Sequence, residues 1–164
     1  MIEKYKNTAP VIASTAYVHE STHVIGRVII KDRASVFPGA VLRGDTGEIT
    51  VGEKSNIQDN ATVHENTCIG SCVTVGHNAV VHGALIEDNC LIGMGAVVLD
   101  RAVIGKGSVI GAGCVIPSGK IIPPLSVAVG NPYRIIRSGD PETEKSNIRN
   151  AETYLALVSD YKKQ

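Results

Sequence analysis

Branched aliphatic residues recur along this chain at every sixth position. From Ile12 the step gives Val18, Val24, Ile30, Val36 and Leu42, and from Val51 it gives Ile57, Val63, Ile69, Val75 and Val81. From Ile86 it gives Ile92, Val98, Ile104, Ile110, Ile116 and Ile122. Four residues after these positions stand mostly small side chains, among them Ala16, Thr22, Ala34, Ala40, Thr46, Ser55, Ala61, Thr67, Ala79, Cys90, Ala96, Ala102, Ser108, Cys114 and Ser126; Leu85 and Lys120 break the rule. A period of six does not fit the 3.6-residue helix, whereas short β-branched runs separated by Gly, Asn and Asp are strands and turns. The pattern predicts a coil in which each aliphatic fills the interior of a flat face and each small residue lets the chain turn a corner. Three faces close a triangle of 18 residues per turn, and successive turns stack at about 4.8 Å.

This pattern resembles the hexapeptide-repeat proteins from residue 12 to about 126. The resemblance implies an all-β fold, a left-handed parallel β-helix of about six turns, its hand taken from that family. The phase slips twice: Leu42 to Val51 carries three extra residues around Asp45-Thr46-Gly47, and Val81 to Ile86 is one residue short. A coil that breaks register does so where something besides packing is wanted. After the repeats, Asp140 reads as a helix N-cap with Pro141 at the first helical position, and Ile148, Ala151, Leu155 and Val158 follow at helical spacing. We therefore expect a β-helix domain over 1–132 and a C-terminal segment over 133–164 whose amphipathic α-helix packs on it.

The chain has 164 residues, 43% of them apolar and 20% charged, the composition of a folded globular protein. Lys and Arg number 16, as do Asp and Glu, so no positive field is available for nucleic acid or an anionic membrane. No stretch reads as a signal peptide or a membrane span, and the expected location is cytoplasmic. Cys68, Cys72, Cys90 and Cys114 fit neither a zinc pattern nor a disulfide framework and read as structural thiols.

His64, His77 and His82 lie in one stretch, VHENTCIGSCVTVGHNAVVHG. His64 and His82 are 18 residues apart, so they occupy the same place in adjacent turns, and each follows an inward aliphatic and faces outward. His77 is five residues before His82, up to roughly 17 Å away if extended, and lies around a corner. If it is a ligand, its metal partners belong to another chain. A head-to-tail ring of three prisms satisfies this and predicts a homotrimer with interfacial sites. Three imidazoles with an open fourth position make a catalytic zinc site, in which the metal brings the pKa of bound water to about 7.

LRGDTG, followed by VGEKSNIQDNATVH and VGHNAVVHG, is similar to the gamma-class carbonic anhydrases and their bacterial relatives. The resemblance implies metal ligands His64 and His82 from one chain and His77 from its neighbour, holding Zn2+, with Fe2+ as the alternative ion. It also implies site roles for Arg43, Asp45, Asn56, Gln58 and Asp59. Gln58 can hydrogen-bond the metal-bound hydroxide or bicarbonate, and Arg43 can pair with Asp45 or with Asp59 of a neighbour. Two glutamates thought to relay protons in the founding archaeal enzyme match Thr46 and Thr67 here, and Glu65 is adjacent but out of register.

Three functional readings follow. The leading one is reversible hydration of carbon dioxide to bicarbonate. A second is coenzyme A chemistry, as a hexapeptide acyltransferase or acyl-CoA thioesterase. A third is a non-catalytic, metal-stabilised trimer that serves assembly or binding.

Overall fold

The computed structural model describes residues 1–163, which form a parallel β-helix closed by one helix. On its first face Tyr17–Val18, Ser35–Val36, Asn56–Ile57, Thr74–Val75, Leu91–Ile92, Val109–Ile110 and Val127–Val129 pair in parallel, each rung on the last. The first face thus carries seven parallel rungs, against the about six turns expected. Thr62–His64, Val80–His82, Val97–Val98 and Val115–Ile116 build the second face on the opening halves of two long strands, His23–Ile30 and Val41–Val51. Thr67–Ile69, Leu85–Ile86, Val103–Ile104 and Ile121–Ile122 build the third on their closing halves.

From Val24 on, every aliphatic of the six-residue pattern is 0–1% exposed, and Ala61, Val73, Ala79, Cys90, Ala96, Ala102 and Cys114 are sealed at the corners. Burying one such branched side chain is worth about 1.5–3 kcal/mol, which is how a core with a single Phe can hold. Cys90 is fully buried, and burial pushes its thiol up to about 12. All four cysteines are free thiols.

Both phase slips are visible in the register. Val41 pairs with Thr62, three residues beyond a full turn, because Asp45-Thr46-Gly47 is absorbed inside the unbroken strand Val41–Val51. Thr46 therefore stands exposed instead of filling a corner. Thr74 pairs with Leu91, one residue short of a turn, and Ala84 takes the buried corner at 2% exposure while Leu85 faces out.

The chain then reverses: Arg134–Arg137 runs antiparallel to Val127–Val129. Helix α1, Pro141–Tyr161, starts at the expected cap, where Asp140 Oδ1 accepts from the Glu142 amide at 3.0 Å. Its docking face is more polar than the apolar stripe suggested. Ala151 and Val158 are buried, but so are Thr143 and Asn147, while Ile148 and Leu155 are only half-buried. Asn147 Nδ2 donates to the carbonyl of Asn89 at 2.9 Å and to those of Gly107 and Ser108 at 3.2 Å, tying the helix to turns of the coil. Tyr154 and Tyr161 pack edge-on against Phe37, with ring centres 5.5 and 5.8 Å away. Among the described residues no helix is long and apolar enough to cross a membrane.

Candidate metal centre in two halves

His64 and His82 end neighbouring rungs and are direct partners in the parallel ladder. Val63 and Val81 point into the core, so strand alternation turns both imidazoles out at one corner. His64 Nδ1 lies 3.1 Å from His82 Nε2. Two imidazole nitrogens on one tetrahedral zinc, each 2.0–2.1 Å from it, stand roughly 3.3 Å apart, so the pair is spaced to share an ion.

The other nitrogen of each ring is held by a carboxylate. Asp45 Oδ1 is 3.0 Å from His64 Nε2, and Asp100 Oδ1 is 2.9 Å from His82 Nδ1. The second oxygen of Asp45 accepts from Arg43 Nη1. The His64 hydrogen bond, with help from the Arg43 guanidinium, pulls the Asp45 carboxyl down to about 2 against a smaller opposing effect of burial. Asp100 is lowered in the same way, chiefly by His82. Thr46 Oγ1 donates to Glu65 Oε1 at 2.9 Å, and donor atoms of His64, Glu65 and His82 all fall within 4.8 Å of one another. Thr67 plays a local part, its hydroxyl donating to the His64 carbonyl at 2.7 Å.

The second half lies on the first face. His77 stands just beyond the rung Thr74–Val75, and its Nδ1 is 2.8 Å from Asp59 Oδ2. It does not belong to the cluster at His64. A pocket of about 130 Å3 joins it to Gln58, Thr74, Asn150 and Tyr154. Asn56 and Gln58 are buried together, and Gln58 Nε2 donates to Asn56 Oδ1 at 3.1 Å. Gly76 and Gly93 follow Gln58 in the stack and line the pocket. A Cβ on Gly76 would sit 2.8 Å from the Met94 amide nitrogen, so backbone packing requires glycine there.

The expected site residues thus fall into two groups: Arg43, Asp45, His64 and His82 at one corner, and Asn56, Gln58, Asp59 and His77 on the first face. Each of the three histidines keeps one nitrogen on an aspartate; the other nitrogens of His64 and His82 face each other, and that of His77 makes no hydrogen bond among the described residues. This carboxylate–histidine pairing fixes ring orientation and raises ligand basicity in metal sites, and the imidazole donor set suits Zn2+ or Fe2+. Asp100, Thr74, Asn150 and Tyr154 were not foreseen from the sequence. For Asp100 the signal was available: it stands one further 18-residue step beyond His64 and His82, just as His77 stands one step beyond Asp59.

Residues 83–118 match the family described as bacterial transferase hexapeptide (six repeats). The chain is 38% identical to a hexapeptide transferase family protein from Anaplasma phagocytophilum, covering 98% of this chain and 97% of that one with a TM-score of 0.94. It is 40% identical over 66 residues to a carbonic anhydrase of Geobacillus kaustophilus and 46% identical over 56 residues to gamma carbonic anhydrase 1, mitochondrial, of Arabidopsis thaliana. These stretches are 40% and 34% of this chain, and span only 36% and 20% of the two relatives' lengths. The chain belongs to the hexapeptide-repeat family, and over about a third to two fifths of its length it is similar to gamma carbonic anhydrases.

Proposed function

We propose that this protein is a gamma-type carbonic anhydrase that interconverts carbon dioxide and bicarbonate as a homotrimer, with one metal site at each subunit interface. The observation that carries this reading is the division of the site: two outward histidines share one corner, and the third stands on another face with Nδ1 on Asp59 and its other nitrogen without a partner among the described residues. His64 and His82 of one chain and His77 of its neighbour would hold Zn2+ or Fe2+. When bound, such an ion supplies Lewis-acid chemistry that activates water at neutral pH.

The chain's own residues do the rest. Asp45, Asp59 and Asp100 hold the three imidazoles in place, and Arg43 anchors Asp45. Gln58, with Asn56 behind it, offers a fixed amide to a small oxygen-rich ligand in the pocket beside His77. Glu65 adds a carboxylate at the His64–His82 corner, where the glutamates of the founding enzyme are replaced by Thr46 and Thr67.

The test is stopped-flow carbon dioxide hydration on protein loaded anaerobically with zinc or ferrous iron at one metal per chain. The expected result is a rate well above those of free metal, metal-free protein and the His77→Ala variant. A fully loaded protein with no rate above these controls would overturn the reading.

The full-length match to a hexapeptide transferase family protein favours acyl transfer or thioester cleavage on coenzyme A as the second reading. Acyl-CoA turnover that survives a chelator would select it. A trimer that dissociates on chelation but never hydrates carbon dioxide would select a metal-stabilised assembly role.

A further inference from the structure

A chain of side-chain hydrogen bonds runs from α1 through the first face to Gln58. Thr74 Oγ1 donates to Asn150 Oδ1 at 3.0 Å, Asn56 Nδ2 donates to Thr74 Oγ1 at 2.9 Å, and Gln58 Nε2 donates to Asn56 Oδ1 at 3.1 Å. The three links from the coil are all but sealed, with Asn56 at 1%, Thr74 at 3% and Gln58 at 3% exposure. Asn150 joins them from a helix 76 residues further along the chain.

The chain has a direction, and its direction has a cause. A hydroxyl carries one proton. Because Thr74 gives that proton to the Asn150 oxygen, it can only accept from Asn56, which must then present its NH2 to Thr74 and its oxygen to Gln58. Gln58 is turned in consequence, with its NH2 directed into the coil. Its Oε1 accepts from no donor among the described residues, yet it is not a sealed, unsatisfied atom. Gln58 lines a pocket with His77, Asn150 and Tyr154, and with Nε2 engaged by Asn56 the Oε1 is the end of its amide left for a ligand there. Were Thr74 to give its one proton to Asn56 instead of Asn150, Asn56 and Gln58 would both have to turn, and the NH2 of Gln58 would take the place of its oxygen.

We infer that Asn150 of α1 and Thr74 are positioning residues that set which end of the Gln58 amide faces the pocket. The C-terminal helix is thereby part of the site as well as a cover for the coil. An acceptor at that point favours a ligand that brings an O–H, such as bicarbonate, over one that offers only acceptor oxygens. Buried polar networks of this kind specify one arrangement only when every member is satisfied, so loss of one link frees the amide to turn. The functional half of the inference rests on the proposed role of Gln58 in meeting the substrate; the polarity of the network does not.

The experiment compares four variants of the full chain in pairs. Thr74→Val and Asn150→Leu break the chain, whereas Thr74→Ser keeps the hydroxyl and Asn150→Asp keeps an obligate acceptor. Hydrogen exchange of the Gln58 side-chain NH2 is read by 15N-resolved NMR on metal-free protein, with the Tyr154–Phe37 ring contact reporting that α1 is still docked. Exchange should speed by about tenfold or more in the two breaking variants and stay near wild type in the two conservative ones. On the metal-loaded protein, the breaking variants should lower kcat/KM for bicarbonate dehydration by about tenfold, with the conservative variants restoring it.

Unchanged Gln58 exchange in both breaking variants with the helix docked would overturn the inference. So would a loss in the conservative pair equal to that in the breaking pair. If the wild-type protein hydrates nothing, the proposed function fails, and the exchange measurement still decides whether the helix orients Gln58.

Discussion

His64 and His82 are stacked partners of one ladder, with His64 Nδ1 and His82 Nε2 3.1 Å apart and their far nitrogens on Asp45 and Asp100. The two aspartates reach the pair from opposite directions along the coil, Asp45 from the turn before and Asp100 from the turn after. An Asp100→Asn change keeps the shape of the side chain and removes the carboxylate charge that supports the His82 imidazole. Metal affinity should fall by about 10–100-fold with the circular dichroism spectrum unchanged, as competition with a chromophoric chelator would show. Wild-type affinity in this variant would mean that Asp100 is only a surface partner.

A site divided between chains can be rebuilt from two broken ones. His77→Ala protein keeps the His64–His82 corner, and His64→Ala protein keeps His77, so neither alone should hold metal tightly. Co-refolded, they should form mixed trimers with one intact site each, measurable as metal retained through size-exclusion chromatography. Tight binding by His77→Ala alone would place the whole site in one chain and make Glu65 the third ligand.

Ile92 is fully buried and stacks between Val75 and Ile110. Ile92→Ala should cost about 2–5 kcal/mol, because the rungs on either side are held by backbone ladders and cannot collapse into the space. Urea unfolding would report this as a lower midpoint with an unchanged slope.

The buried thiol of Cys90 makes stability fall in alkali. In the unfolded chain it ionises near 9, whereas burial raises it to about 12 in the folded one. Between these values the folded state holds a proton that the unfolded state has released, so the unfolding free energy decreases as pH rises from about 9 towards 12. Unfolding midpoints at pH 8 and pH 10.5 should differ less in Cys90→Ala than in wild type, although the variant starts lower because it leaves a cavity. An equal difference in both proteins would show that other groups carry the alkaline loss.

Much of the fold was legible because one rule is applied over and over. Each inward aliphatic from Val24 to Ile122 and the cap at Asp140 could be read from spacing alone, since a coil with 18 residues per turn turns sequence distance directly into position. The rule failed where the period slipped. Thr46 was assigned to a corner and stands exposed, and Ala84, not Leu85, fills the corner after the one-residue deletion. Asp100 obeys the same arithmetic, one 18-residue turn beyond His82. Asn150 and Thr74 were not readable, since no periodicity relates a helix to the rung it docks on.

By itself, then, the sequence determined the β-helix, its three faces and the alignment of His64 with His82. These depend on local steps of six and 18 residues, which the parallel ladder repeats without alteration. Only the tertiary structure decided which nitrogen each aspartate holds, that α1 docks through Asn147 and Asn150, and that Asn150 joins a directed hydrogen-bond chain ending at Gln58. The physical reason is that these outcomes depend on the direction of individual hydrogen bonds between segments far apart in the chain, and hydrophobic patterning carries no information about the direction of a proton.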